Sequence, residues 1–130
     1  MKTDADKPCW CGRPLPWGRC CGRYIDDFEG QAPPDAETLM RSRYSAFVTE
    51  NAGYLLATWH PSRRPPAIDF EPGVKWLGLQ VRGHWQRDGD HAEVEFVARS
   101  RLAGRATRLH ERSRFVREGG RWYYLDGDMQ

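Results

Sequence analysis

The sequence has 130 residues, 39% of them apolar, and its six Trp, five Tyr and five Phe suit one compact body with an aromatic core. A formal net charge of +2 argues against strong, purely electrostatic binding to nucleic acid. No apolar run approaches the roughly 20 residues of a membrane span, and Met1 to Pro8 is too polar for a secretory signal, so a reducing cytoplasm is the expected compartment.

All four cysteines, Cys9, Cys11, Cys20 and Cys21, fall at the start of the chain. In a reducing compartment such a cluster points to metal or redox chemistry before structural disulfides. The two close pairs, Cys-x-Cys and Cys-Cys, can supply the four thiolates of a tetrahedral zinc site. Gly12, Gly18 and Gly22 allow the tight turns that such a knot needs. Three alternatives stand beside zinc. Two disulfides would strain an adjacent Cys20–Cys21 pair. A redox dithiol would normally read Cys-x-x-Cys, which is absent. Four thiolates could also hold an iron–sulfur cluster. Residues 1–25 are therefore read as a zinc-binding module and 26–130 as a cysteine-free body.

Gln31 to Asp35 reads as a linker ending in a helix cap, with Glu37 well placed in the first turn. Met40, Tyr44, Phe47 and Val48 recur at helical spacing, predicting a helix over 35–49. A second, short helix is predicted over 52–58, closed by Pro61. After Gly73 the period changes to two. Val74, Trp76, Gly78, Gln80 and Arg82 alternate with Lys75, Leu77, Leu79, Val81 and Gly83, giving a strand over 74–86. Asp88-Gly89 turns into a second strand through Ala92, Val94, Phe96 and Ala98. Ala103-Gly104 leads to a third, with Leu109, Glu111, Ser113 and Phe115 on one face. Glu118-Gly119-Gly120 leads to a fourth, beginning at Arg121. Helices followed by a run of strands predict an α+β fold with the helices on one face of an antiparallel meander.

Cys9-Trp10-Cys11-Gly12 followed by Cys20-Cys21-Gly22 resembles the SEC-C zinc motif, named after the C-terminal tail of the bacterial translocation ATPase SecA. That tail binds zinc and contacts the chaperone SecB and ribosomes. The intervening loop differs: Arg13-Pro14-Leu15 stands where the family often has Ser-Gly-Lys. Leu39 to Phe47, Tyr54 to Pro61 and His110 to Phe115 resemble the bacterial YchJ family, which joins a SEC-C motif to a domain like nuclear transport factor 2. The resemblance implies a cone, a strongly curved antiparallel sheet wrapped over helices and often enclosing a pocket.

In such a cone His60 and Glu111 are the candidate catalytic residues, and Arg41, Tyr44, Trp59, Ser113 and Phe115 are candidate pocket residues. Glu111 is expected to face inward, with Arg41 or Arg43 as its partner. Trp10 and Trp17 are candidate contacts for a protein partner of the knot. The sheet could pair two copies of the chain. Of the seven Arg between Arg99 and Arg117, most are expected to lie in a solvated, salt-bridged face. Arg112, Arg114, Arg117 and Arg121, near Trp122 and Tyr123, are the residues that a nucleic-acid reading would use.

Overall fold

The computed structural model describes residues 4–130. Three helices, α1 (Cys21–Asp26), α2 (Ala36–Val48) and α3 (Ala52–Ala57), precede four strands, β1 (Lys75–Gln86), β2 (His91–Leu102), β3 (Arg105–Glu118) and β4 (Arg121–Met129). The strands form one antiparallel sheet in the order β1-β2-β3-β4. The α+β fold read from the sequence is the fold observed.

Helix α2 starts where its cap requires. The Asp35 carboxylate accepts from the Thr38 N–H at 2.7 Å, satisfying a donor that has no partner inside the helix. It ends at Val48, and Glu50 turns the chain at φ +54°. Asn51 then caps α3, accepting from the Tyr54 N–H at 3.0 Å. Leu39, Met40 and Tyr44 of α2 pack on Val94, Phe96, Phe115 and Trp122 of the sheet. Each such side chain contributes ~1.5–3 kcal/mol when taken fully out of water. The opposite side of α2 is buried too: Ala46 joins Tyr24 of α1 and Tyr54 and Leu55 of α3 in a second core. A helix covered on all sides carries small residues there, and Ser42 and Ser45 are fully buried.

The sheet departs from strict alternation at three places. Register shifts fall between Trp76 and Gly78, between Val81 and Gly83, and opposite Arg114–Phe115. The first corrects the face assignment in β1. Period two set Trp76 against Leu79 and Val81, yet all three pack on the main core, because Leu77 bulges outward at 49% exposure. Bulges of this kind also sharpen the twist that curls the sheet around α2. The edge of β4 is covered by the chain leaving α3. The Tyr124 N–H donates to Thr58 O at 2.8 Å, and the His60 N–H donates to Tyr124 O at 2.8 Å.

Candidate metal centre and cone cavity

The four cysteine Sγ atoms lie within 4.8 Å of one another, and all four residues are buried. Cys11 and Cys20 Sγ are 3.5 Å apart, and the four cysteines are free thiols. Four sulfurs around a cation at ~2.3 Å each would sit ~3.8 Å apart, so the cluster has the size of a tetrahedral thiolate site. The local chain builds it with tight turns. The Cys9 N–H donates to Leu15 O at 3.0 Å, Gly12 adopts φ +89°, and the Cys20 N–H donates to Trp17 O at 3.1 Å. Trp17, Ile25 and Leu79 seal the sulfurs from solvent. Trp17 can lie there because a Cβ on Gly22 would collide with its indole.

The electrostatics of this cluster set its thiols against one another. Hydrogen bonds from Cys11 and Cys21 pull the Cys9 thiol far below its ordinary range. Burial, followed by hydrogen bonding to Cys9, pushes Cys20 up to about 12. Hydrogen bonds to Cys11 and Cys9, then burial, push Cys21 up as well. One thiolate in the cluster thus suppresses its neighbours, whereas a divalent cation among them would favour several thiolates at once. The donor set fits a metal ion.

The cluster is clamped to the body. Arg41 Nη1 donates to Cys11 O at 2.8 Å, and its Nε meets Glu37 Oε2 at 2.9 Å. Arg13, from the loop between the cysteine pairs, reaches the same carboxylate oxygen at 3.3 Å and Thr38 Oγ1 at 3.2 Å. His84 of β1 lies 3.1 Å from the other carboxylate oxygen. Arg41, expected in the pocket, is instead part of this clamp. Burial pushes the Glu37 carboxyl up, but Arg41, Arg13 and His84 together hold it below its ordinary value of 4.5. Because its folded pKa lies below the unfolded one, Glu37 contributes stability above about pH 4.5 that is lost as pH falls through the folded value. Glu37→Gln should therefore lower the thermal midpoint at about pH 6, and the gap to the parent should narrow as pH falls below about 4.5. A gap independent of pH would show that the clamp does not act through the charge of Glu37.

Between α2 and the concave face of the sheet lies a cavity of about 270 Å³. Tyr44, Trp59, Ser113, Phe115 and Glu111 line it. So do Met40, Phe47, Trp76 and Phe96, which the sequence reading had not placed there. Arg43 lines it too, but neither Arg43 nor Arg41 forms the expected ion pair with Glu111, because both are engaged elsewhere. Arg43 Nη1 donates to Leu55 O at 2.8 Å and Thr58 Oγ1 at 2.6 Å. Its guanidinium lies 4.5 Å from the Tyr124 ring and 5.2 Å from the Trp59 ring. Burial pushes Arg43 down to about 10, against the opposing pull of Tyr124, Tyr54 and Glu111. The Glu111 carboxylate accepts at Oε2 from Ser113 Oγ and, at 3.3 Å, from the Tyr124 hydroxyl. It can occupy this corner because Gly127 has no side chain: a Cβ there would come 2.5 Å from Glu111 Oε2. His60 is elsewhere. Its Nε2 lies 2.6 Å from Glu118 Oε2, its Nδ1 lies 2.7 Å from Ser62 Oγ, and its ring packs on Tyr123. His60 and Glu111 therefore do not share a site.

Residues 35–127 match the family model described as the YchJ middle NTF2-like domain. The chain belongs to the YchJ family. A UPF0225 protein of Polaromonas sp. (strain JS666) is 68% identical over 129 residues, covering 94% of this chain and 93% of its own. A UPF0225 protein of Methylibium petroleiphilum is 63% identical, covering 96% and 90%. The solution structure of a SEC-C motif containing protein from Rhodopseudomonas palustris superposes with a TM-score of 0.80 at 32% identity, covering 93% of this chain and 97% of that one. The crystal structure of a SEC-C motif containing protein from Psychrobacter arcticus gives 0.80 at 29% identity, covering 98% and 85%.

On this YchJ-family chain the remaining candidates separate cleanly. Trp10 is 55% exposed and Leu15 is 40% exposed, while Trp17 folds over the sulfurs and is only partly accessible. The arginines of the nucleic-acid reading are engaged: Arg112 with Glu93, Arg114 with Asp126 and Asp128, Arg117 with Asp90, and Arg121 with Phe28 O. Trp85, on the outer face, is covered by Arg112 at 4.2 Å. Among the described residues, no helix is long and apolar enough to cross a membrane.

Proposed function

We propose that the chain is a zinc-organised adaptor of the cytoplasm. Residues 1–25 form a zinc knot that docks a protein partner, and residues 26–130 form a cone that holds a ligand. An all-thiolate donor set suits zinc and disfavours magnesium or calcium, which take oxygen ligands. A closed set of four leaves no open coordination position, so the ion is structural. One observation carries the docking role. Trp10 stands between two metal-ligand positions, Cys9 and Cys11, and is 55% exposed in a chain whose other aromatics mostly face inward. Leu15 lies beside it through the Cys9–Leu15 backbone hydrogen bond. A rigidly held, exposed Trp–Leu pair is the kind of anchor that protein interfaces use.

Native mass spectrometry tests the metal: one zinc per chain is expected, and an iron–sulfur mass or a metal-free chain with paired thiols would overturn the assignment. A photocrosslinking residue at Leu15 tests the docking surface. In cells it should give a discrete adduct with another protein that Trp10→Ala removes. An adduct indifferent to Trp10, or adducts only between copies of this chain, would refute the adaptor reading.

A further inference from the structure

The cavity is larger than the fold requires. Interiors are packed with few voids bigger than a water molecule, and each unfilled wall forfeits dispersion contacts. This space of about 270 Å³ is partly open to solvent and its wall is mostly apolar, so an apolar ligand gains by displacing water from it. A dry cavity of roughly 150 Å³ takes a benzene ring, so this one has room for about two fused rings. Aromatic side chains dominate the wall, including Tyr44, Phe47, Trp76 and Phe115.

The polar groups are few and one-sided. Arg43 has its charge answered by Leu55 O, Thr58 Oγ1 and the faces of Trp59 and Tyr124. Glu111 has Oε2 engaged by Ser113 and Tyr124, but its Oε1 accepts from no described residue. The cavity wall thus holds one cation and one anion, and the polar atoms left unpartnered on its described lining residues are Glu111 Oε1 and the buried Trp59 Nε1. A ligand cation would meet Arg43, and a ligand anion would meet Glu111. A neutral molecule with a single N–H or O–H satisfies the free oxygen and adds no charge to a desolvated site.

We propose that the cone cavity binds a small neutral bicyclic aromatic molecule through one hydrogen-bond donor, accepted by Glu111 Oε1. This deepens the ligand-holding part of the function proposed above and is independent of what the knot docks. Gly127 then has a functional meaning, because a side chain there would displace the Glu111 carboxylate from this corner.

Indole and benzofuran differ at one ring atom, an N–H donor against an ether oxygen, and are suitable probes. Titrated into the full chain and followed by the indole ¹H–¹⁵N signals of Trp59 and Trp76, indole should bind at least about tenfold tighter than benzofuran. In Glu111→Leu that preference should collapse to about twofold or less while benzofuran still binds, which shows the cavity intact. N-methylquinolinium and 2-naphthoate should each bind at least about tenfold more weakly than indole. Equal affinity for indole and benzofuran, a preference that survives Glu111→Leu, or tighter binding of either ion would overturn the inference and leave the cone as a ligand site of another kind. Failure of every probe to shift the Trp59 and Trp76 signals would overturn the ligand-holding reading with it.

Discussion

Cys20→Ser should abolish stoichiometric zinc binding and release the knot from its fixed shape. Serine is nearly isosteric with cysteine, but its hydroxyl stays protonated at neutral pH and is a poor ligand, so the site loses a donor without gaining bulk. Apart from its turn hydrogen bonds and the Arg41 and Arg13 clamp, little else holds the knot together. Its interior consists of the four sulfurs with Trp17, Ile25 and Leu79 laid against them. Binding of zinc by four thiolates contributes on the order of 10 kcal/mol in small zinc modules, far more than those three contacts supply. Hydrogen exchange resolves the consequence. The amides of Cys9, Trp17 and Cys20, which bond to Leu15, Lys7 and Trp17, should lose protection by at least about a hundredfold. The Tyr124 amide, bonded to Thr58 O in the body, should keep most of its protection. Zinc retained at one per chain would remove Cys20 from the ligand set. Equal loss of protection at Tyr124 would show that knot and cone unfold as one cooperative unit, through the Arg41–Cys11 and Arg13–Glu37 clamp and through Tyr24 in the second core.

What could be read from the sequence, and what could not, follows from the range of the interactions involved. The cysteine cluster was legible because its four thiols lie within thirteen residues, Cys9 to Cys21. Helix α2 was legible because a cap and a helical period are both local, and Asp35 does bond Thr38. Bulges are not local. Nothing beside Leu77 marks it as the extra residue except Gly78, so alternation carried across it placed Trp76 on the wrong face. Helical spacing separates Arg41 from Arg43: Arg43 follows Leu39 by four residues and shares its buried side, whereas Arg41 falls between. His60 and Trp17 depend on remote partners. His60 is turned outward by the backbone pairing of the post-α3 segment with β4, and Trp17 is drawn in by the missing side chain of Gly22.

Arg43 is where the cone is most sensitive to a single change. The residue is 6% exposed, it ties α2 to the end of α3 through Leu55 O and Thr58 Oγ1, and it is the cation facing Glu111. Arg43→Ala removes those bonds and the contact with two aromatic rings, leaves Leu55 O with only the 3.3 Å bond from Thr58 Oγ1, and takes away the cation whose field reaches Glu111. A loss of ~3–5 kcal/mol is expected, a large fraction of the ~5–15 kcal/mol that a domain of this kind has. Arg43→Met keeps most of the volume and isolates the electrostatic part, so its loss should be smaller, ~2–3 kcal/mol. The decisive comparison is the double variant Arg43→Met, Glu111→Leu. Replacing both charges with apolar groups removes the carboxylate left without that cation, so the double variant should be more stable than Arg43→Met alone by ~1–2 kcal/mol. Urea unfolding with a constant slope measures all three. Strictly additive losses would show that Arg43 and Glu111 do not act as a charge pair. The cone would then owe its sensitivity at Arg43 to packing and to the Leu55 and Thr58 bonds alone.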